Sequence, residues 1–164
     1  MNQDILFKKE DFVFSLRVGG VLRRGDSVLL QCPRGTQDYA IIGGHIRGME
    51  AAAETLVREF REELHAEVEV GDLLCVAENF FPWGSKPCHQ VCFYYEVSLK
   101  EDSIPLEGMF QGYDDLGGVR YNLDFCWIPV KAIEEGLTVY PVGIAPYLIR
   151  KDLKNGYLLS RQLD

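Results

Sequence analysis

Long apolar runs, basic residues and paired cysteines are all scarce in this sequence. No apolar run approaches the roughly 18–20 residues that a membrane-spanning helix needs, and the start Met1-Asn2-Gln3-Asp4 lacks the basic and apolar regions of a signal peptide. Only 17 Lys and Arg stand against 25 Asp and Glu, which gives a formal net charge of −8. This balance argues against non-specific binding to nucleic acid or anionic lipid. We therefore expect a cytoplasmic protein with no membrane or nucleic-acid partner, and a homodimer is compatible with the sequence.

The cysteines indicate neither a disulfide framework nor a zinc site. There are 5 of them, scattered along the chain, which favours reduced thiols in apolar surroundings. Cys88 and Cys92 flank His89, but their spacing is not the C-x-x-C that is usual for zinc. Positions 88 and 92 share one face of a β-strand, so we interpret both as half-buried strand residues.

Hydrophobic periodicity predicts one mixed domain of the α/β (α+β) class over residues 1–164. The residues at 12–18 and 21–31 predict strand, hairpin turn and strand, with the turn at 25–27. Further strands are predicted at 39–42, 67–78, 90–99 and 121–128. A helix is predicted over 51–64, and its apolar stripe consists of Ala53, Leu56, Val57, Phe60 and Leu64. Shorter helices are predicted at 129–135 and 145–154.

Two segments are predicted to be loops. Residues 79–88 combine aromatic residues with prolines and a glycine, so they interrupt the strand pattern. Residues 101–120 contain several glycines and the pair Asp114-Asp115, with Gly117 and Gly118 close behind. This second loop is long enough to suggest a lid or a binding loop.

Three glutamates lie on one face of the predicted helix, beside its apolar stripe. Glu59, Glu62 and Glu63 are spaced i, i+3 and i+4. Like charges at this spacing destabilise a helix by roughly 0.2–0.5 kcal/mol per pair. A divalent cation would compensate, and carboxylate, water and phosphate oxygens are the ligands that Mg²⁺ prefers. The alternative is a solvated acidic helix face.

The three glutamates belong to a longer motif, G-x5-E-x7-R-E-hydrophobic-x-E-E. The motif is formed here by Gly44, Glu50, Arg58, Glu59, Phe60, Glu62 and Glu63. Over residues 44–66 the sequence resembles the signature box of the Nudix hydrolase family. The resemblance implies an α/β/α sandwich around a mixed β-sheet. It also implies Mg²⁺-dependent hydrolysis of a nucleoside diphosphate linked to another group X, such as a nucleoside triphosphate, an ADP-ribose-like molecule or a dinucleoside polyphosphate.

The resemblance further implies a metal site. Glu62 and Glu63 would ligate Mg²⁺, with Mn²⁺ as an alternative ion, helped by the backbone carbonyl of Gly43. Glu59 would be a further ligand, or the base that deprotonates the attacking water. Gly44 would let the loop pass close to the metal and the phosphates, where a side chain would interfere.

Arg58 has two interpretations. By the resemblance it would orient the glutamates, through Glu50, so that the expected catalytic residues are Glu59, Arg58 and Glu62. By helix spacing alone it would be an ordinary i,i+4 partner of Glu54. The two roles are compatible with each other.

One position departs from the family pattern. The box normally has glycine after E-E-x, where this chain has His65. That glycine closes the helix in a left-handed conformation, in which histidine is costlier than glycine. We expect a small loss of stability and no loss of chemistry.

The substrate contacts are expected outside the helix. Arg47 would lie on the phosphate side of the pocket, and Phe81 and Trp83 could stack on a base, or else simply fill the edge of the sandwich. Extra acids that serve the metal or the reaction in some relatives have candidates here in Glu107, Asp114 and Asp115, although aspartate also favours turns. Phosphate contacts could come from Arg17, Arg23 or Arg34, and their spacing does not distinguish them.

Two other functions fit the same sequence. One is a nucleotide-sensing module that keeps the fold without cleaving its ligand, although such modules usually lose box glutamates. The other is an RNA cap hydrolase, which the negative charge disfavours.

Overall fold

The computed structural model describes residues 3–116 and 118–163. Met1 and Asn2 of the start considered above, and Gly117 of the second predicted loop, lie outside these residues. The described strands are β1 (Leu6–Lys8), β2 (Val13–Arg24), β3 (Ser27–Pro33), β4 (Tyr39–His45), β5 (Val68–Trp83), β6 (Lys86–Leu99), β7 (Met109–Leu116), β8 (Val119–Pro129), β9 (Val139–Tyr140) and β10 (Gly156–Arg161). The described helices are α1 (Ala52–Leu64), α2 (Val130–Glu134) and α3 (Ala145–Ile149).

The strands form a mixed sheet in the order β10-β5-β6-β2-β4-β3-β8-β7, with β1 paired to β2 and β9 paired to β4. Strand β2 is central, because it pairs in parallel with β6 and antiparallel with β4. The other long pairs, β5 with β6 and β3 with β8, are antiparallel. The prediction of a mixed sheet is confirmed.

Helices cover both faces of this sheet. On one face, α1 buries Leu56 and Phe60 completely. On the other face, Ile133 of α2 and Leu148 of α3 pack in a second cluster with Tyr94 of β6. The three layers are the α/β/α sandwich that the resemblance implies.

Two adjacent glycines of β2 make room for an aromatic ring on each face of the sheet. A Cβ atom at Gly20 would lie 2.8 Å from the Phe60 ring, and one at Gly19 would lie 2.8 Å from the Tyr94 ring. Successive strand residues point to opposite faces, so Gly20 accommodates a ring of α1 and Gly19 a ring of the neighbouring strand β6. A side chain at either position would displace an aromatic ring of the core.

The prediction of a loop at residues 79–88 is wrong. Strands β5 and β6 continue through this segment as one hairpin that turns at Gly84-Ser85. The prolines do not break it, because Pro82 is paired with Pro87 and the two residues that lack an N–H oppose each other. Cys88 and Cys92 are strand residues on β6, as predicted, but they are fully buried rather than half-buried.

The prediction of a loop over residues 101–120 is also wrong in its second half. Strand β7 pairs along its whole length with β8. Gly112 suits this strand because the Phe125 ring lies where a Cβ atom would be. The pairing brings Asp114 to a fixed position in the sheet rather than leaving it on a lid.

The prediction of a terminal helix over 145–154 is too long. Helix α3 ends at Ile149, and Arg150 has an extended backbone. The segment from Gly156 then pairs in parallel with β5 as an edge strand. No helix within residues 3–116 and 118–163 is long and apolar enough to cross a membrane.

Candidate active site

Helix α1 is held at both ends, and its left-handed end is the one that the sequence predicts. At its start, the Ala51 N–H donates to the Glu54 carboxylate over 2.8 Å. At its end, His65 has a left-handed backbone with φ 53° and ψ 36°, and its N–H donates to the Arg61 carbonyl over 3.1 Å. These ends fix which way the glutamates of the helix face.

Three carboxylates from two elements converge beside β4. Glu59 and Glu63 of α1 and Asp114 of β7 each offer an oxygen, and these oxygens lie within 4.8 Å of one another. Glu59 and Glu63 are each only 7% exposed. A Cβ atom at Gly44 would overlap the Glu59 carboxylate, so the helix can approach β4 only because this residue is glycine. We call Glu59, Glu63 and Asp114 the acidic cluster.

The acidic cluster is electrostatically costly in the metal-free protein. Burial raises the pKa of Glu59 and of Asp114 above their ordinary values. Burial, together with the charges of Glu59 and Asp114, raises the pKa of Glu63 well above its ordinary value. Both carboxylate oxygens of Glu63 are buried and have no hydrogen-bond partner among the described residues. A buried carboxylate without partners is the kind of group that a divalent cation satisfies, so the donor set fits Mg²⁺.

Arg58 connects the cluster to the loop that precedes α1. Its Nη1 donates to Glu59 Oε1 over 2.8 Å and to Glu62 Oε2 over 3.3 Å. Its Nη2 donates to Glu50 Oε1 over 3.0 Å and to the His45 carbonyl over 3.2 Å. Although burial opposes ionisation of Glu50, hydrogen bonds from Arg58 and the Thr55 hydroxyl lower its pKa.

Arg58 thus contacts Glu50 and two of the box glutamates, the residues through which the resemblance implies its orienting role. The other interpretation paired Arg58 with Glu54, but the Glu54 carboxylate accepts from the Ala51 N–H at the start of the helix. Glu62 lines the same pocket as the cluster, and its side chain is 52% exposed. Gly43 precedes Gly44 on β4 and lies against the backbone of Val18 and Gly19 of β2.

A larger cavity, of about 260 Å³, lies on the sheet face that carries α2 and α3. Arg17 of β2 lines both this cavity and the pocket of the acidic cluster. Arg17 forms no salt bridge with any residue that the structure describes. Its positive charge is therefore available to a ligand where the cavity meets the pocket of the acidic cluster.

The sequence could not distinguish Arg17 from two other arginines, whereas the structure does. Arg23 donates to Glu96 over 3.0 Å and to two backbone carbonyls. Arg34 lies 3.8 Å from the Asp124 carboxylate and donates to the Gly112 carbonyl. The position of Arg17 at the site follows from the pairing of β2 with β4 and β6. That pairing joins distant parts of the chain, so no local sequence pattern reveals it.

The residues expected to contact substrate lie in three different places. Phe81 lines the cavity. Trp83 is not among the residues that line it, and instead its ring approaches the His45 ring edge-on at 6.2 Å. Arg47 lines the pocket of the acidic cluster, 3.5 Å from the Asp4 carboxylate. Asp115 lines that pocket as well.

The chain matches the family model of the NUDIX domain over residues 13–141. A mutator MutT protein from Bacillus halodurans has a similar structure, with a TM-score of 0.61, 15% identity, and coverage of 90% of this chain and 89% of that chain. A NUDIX hydrolase from Nitrosomonas europaea has a TM-score of 0.60, 16% identity, and coverage of 90% and 79%. An ADP-ribose pyrophosphatase from Streptococcus suis has a TM-score of 0.56, 12% identity, and coverage of 88% and 98%. No curated protein sequence matches the chain.

Proposed function

Because the chain belongs to the Nudix family, a family of hydrolases that act on phosphoanhydride bonds, we propose that it is a Mg²⁺-dependent pyrophosphohydrolase. Its substrate would be a nucleoside diphosphate linked to another group. The observation that carries this proposal is the acidic cluster, in which the buried Glu63 carboxylate has no partner among the described residues. Such a site would be costly in a protein that bound no cation.

The metal would be held by Glu59 and Glu63, with Glu62 and the Gly43 carbonyl as the further ligands that the family motif implies. Bound Mg²⁺ would acidify the attacking water and neutralise charge on the phosphate oxygens. Arg58 would keep the Glu59 carboxylate turned toward the site through its hydrogen bond. Hydrolysis needs that orientation to be fixed before the substrate arrives.

We assign Asp114 as the general base, the carboxylate that accepts a proton from the attacking water. Glu59 is already engaged by Arg58, which suits a ligand better than a base. Asp114 reaches the same pocket from a different element, β7, and is only half-buried there. A base must lie within hydrogen-bond reach of the water, directly or through one further water.

Arg17 would bind a phosphate between the two spaces. Arg17 lines both spaces and forms no salt bridge with the described residues, so its charge would face a polyphosphate that bridged the pocket of the acidic cluster and the cavity. The rest of the substrate would then occupy the cavity, where Phe81 offers an aromatic surface.

A hydrolysis screen tests the proposal. The panel comprises ADP-ribose, dinucleoside polyphosphates, NADH, and the ribo- and deoxyribonucleoside triphosphates, each with Mg²⁺ and with EDTA. We expect turnover of at least one class, lost with EDTA and lost in Glu63→Gln. The exposed strand residue Glu69 provides a matched control, Glu69→Gln, which should retain activity.

Three outcomes of the screen would contradict the proposal. Undiminished turnover by Glu63→Gln would exclude the assigned metal site. Turnover that persists in EDTA would exclude the metal dependence. Tight nucleotide binding with no product from any member of the panel would identify a sensing module instead.

A further inference from the structure

The pocket of the acidic cluster differs from the cavity in size and in lining. The pocket has a volume of about 50 Å³, against about 260 Å³ for the cavity. Except for Gly44 and His45, every residue that lines the pocket is charged, and these residues comprise five acids and two arginines. The pocket has room for cations and a few water molecules, and it does not enclose a sugar or a base. The part of the substrate that enters this side of the site therefore meets charged partners.

Arg47 is one of the two arginines, and backbone pairing fixes its position at the pocket. The segment that precedes β1 pairs with the turn that follows β4. In this pairing the Gly48 N–H donates to the Gln3 carbonyl over 2.8 Å, and Asp4 forms an antiparallel bridge with Arg47. Asp4 and Arg47 thus lie side by side, and both line the pocket.

The contact between these two side chains is loose. Arg47 Nε and Asp4 Oδ1 lie 3.5 Å apart, and each side chain is 36% exposed. This distance exceeds the roughly 2.7–3.2 Å of a normal N–H···O hydrogen bond, and an exposed ion pair contributes at most about 1 kcal/mol. Arg47 forms no other salt bridge with the residues that the structure describes. An anionic group of the substrate can therefore replace Asp4 as its partner, whereas an uncharged group brings no charge that compensates for the loss of Asp4.

The two arginines of the pocket stand at different distances from the cavity. Arg17 is paired with His45 across β2 and β4, and Arg47 follows His45 two positions later. Arg17 also lines the cavity, whereas Arg47 lines the pocket alone. A substrate with its nucleoside in the cavity would therefore meet Arg17 first. Arg47 is left for the group that follows.

We infer that the group X of the substrate begins with a phosphoryl group, which Arg47 binds in competition with Asp4. The substrate class is then the nucleoside triphosphates and the dinucleoside polyphosphates with three or more phosphates, rather than a nucleoside diphosphate joined to a sugar. This inference rests on the proposed function, because it assigns the nucleoside to the cavity. A guanidinium and a phosphoryl group form paired, charge-assisted hydrogen bonds. Asp4 adds selectivity, since an uncharged group would have to separate it from Arg47 without replacing its charge.

The test measures binding without hydrolysis. Methylene-bridged analogues of the di- and triphosphates of adenosine, guanosine, cytidine and uridine are compared by calorimetry in the presence of Mg²⁺. For at least one nucleoside, we expect the triphosphate analogue to bind about tenfold more tightly, or better, than the diphosphate analogue. Arg47→Gln should lower this ratio to less than about threefold. Asp4→Asn should tighten the binding of the triphosphate analogue by up to about fivefold, because Arg47 loses its competing partner.

Arg24 provides the matched control for the change in charge. It is an exposed residue at the other end of β2, in the hairpin with β3. Arg24→Gln should leave the ratio unchanged. Both Asp4 and Arg47 are partly exposed, so their variants should unfold at the temperature of the wild type, and thermal unfolding checks this.

Four results would overturn the inference. These are no binding of any analogue, equal affinity for the di- and triphosphate analogues of every nucleoside, a ratio that Arg47→Gln leaves unchanged, and weaker binding of the triphosphate analogue by Asp4→Asn. The hydrolysis screen separates the inference from the proposed function. Turnover of ADP-ribose or NADH in preference to the triphosphates and dinucleoside polyphosphates would overturn this inference alone. Selective binding of a triphosphate analogue with no hydrolysis of any member of the panel would overturn the proposed function alone.

Discussion

Arg58 Nη1 donates to Glu59 Oε1 over 2.8 Å while its Nε and Nη2 both contact the Glu50 carboxylate. One planar side chain thus joins the entry loop of α1 to the acidic cluster. Glu50 is itself fixed by the hydroxyl of Thr55. The loop, the helix and the Glu59 carboxylate of the acidic cluster therefore have to move together.

The first prediction concerns the planar guanidinium group of Arg58. Arg58→Lys keeps the charge but can reach only one of the two carboxylates, because an ammonium group is a compact donor. We expect kcat/KM to fall by about 10- to 100-fold and the free energy of unfolding to fall by about 2 kcal/mol. Steady-state kinetics and urea unfolding measure the two effects.

Arg61 supplies the control for Arg58. It lies on the same helix and forms a pair with Glu67, but the pair is on the surface. Arg61→Lys should change neither kcat/KM nor the urea midpoint measurably. If both lysine variants behaved alike, the orienting role of Arg58 would be wrong.

The second prediction concerns His65, the position at which the box departs from its family. Its left-handed backbone costs a residue with a Cβ atom about 1 kcal/mol relative to glycine. His65→Gly should therefore raise the free energy of unfolding by up to about 1 kcal/mol and leave kcat/KM unchanged. Asn155 has the same φ of 53°, but asparagine tolerates this region, so Asn155→Gly should gain less. Equal gains at the two positions would contradict this account.

Much of the acidic cluster could be predicted because it lies within one helix. The spacing of Glu59 and Glu63 and the apolar stripe of α1 are local patterns, so they determine which side chains face the sheet. The left-handed end at His65 is equally local. Glu62 illustrates the limit, because spacing alone placed it with the other two, whereas in the structure its side chain is half-exposed.

The remaining site residues depend on strand pairing, which local patterns do not reveal. Asp114 reaches the cluster because β7 pairs with β8, although glycines and aspartates around it indicate turns. Arg17 and Asn79 meet at one cavity because β2, β6 and β5 are neighbours. Long-range pairing of strands determines their positions, and it also makes strands of residues 79–83 and 86–88 and of much of the second half of the predicted loop at 101–120.

The third prediction concerns pH and the buried thiols. Burial raises the pKa of Cys75 to about 12 and that of Cys92 to about 11, from an ordinary value of 9.0. The folded protein therefore keeps these protons at pH values where the unfolded chain has lost them. The stability that this contributes is complete below about pH 9 and is lost progressively as the pH rises toward about 12.

Two measurements check the thiols. Iodoacetamide at about pH 8 should label Cys75 and Cys92 in the folded protein at least about 100-fold more slowly than in guanidinium, because the reagent attacks the thiolate. Urea unfolding should show a lower midpoint at about pH 10.5 than at about pH 8. Replacement of one thiol, Cys75→Val, should reduce that difference. Fast labelling in the folded state would show that these side chains are not buried.

The last prediction concerns the close approach of β4 and α1. A methyl group at Gly44 would overlap the Glu59 carboxylate, so Gly44→Ala has to move either that carboxylate or the helix. Because a displacement of about 1 Å at a reacting centre can cost on the order of 100-fold in rate, we expect kcat/KM to fall by about that factor. Mg²⁺ should also protect the variant less against thermal unfolding than it protects the wild type.

Gly48, four positions further along in the turn that follows β4, distinguishes this steric effect from a general intolerance of side chains in this part of the chain. A Cβ atom at Gly48 would have its nearest neighbour at 3.9 Å, the Gln3 carbonyl oxygen. Gly48→Ala should therefore keep both its activity and its thermal response to Mg²⁺. Loss of activity in both variants would indicate that the segment from β4 to α1 does not tolerate side chains at its glycines in general. Loss in Gly44→Ala alone would show that the space beside Glu59 is what the glycine provides.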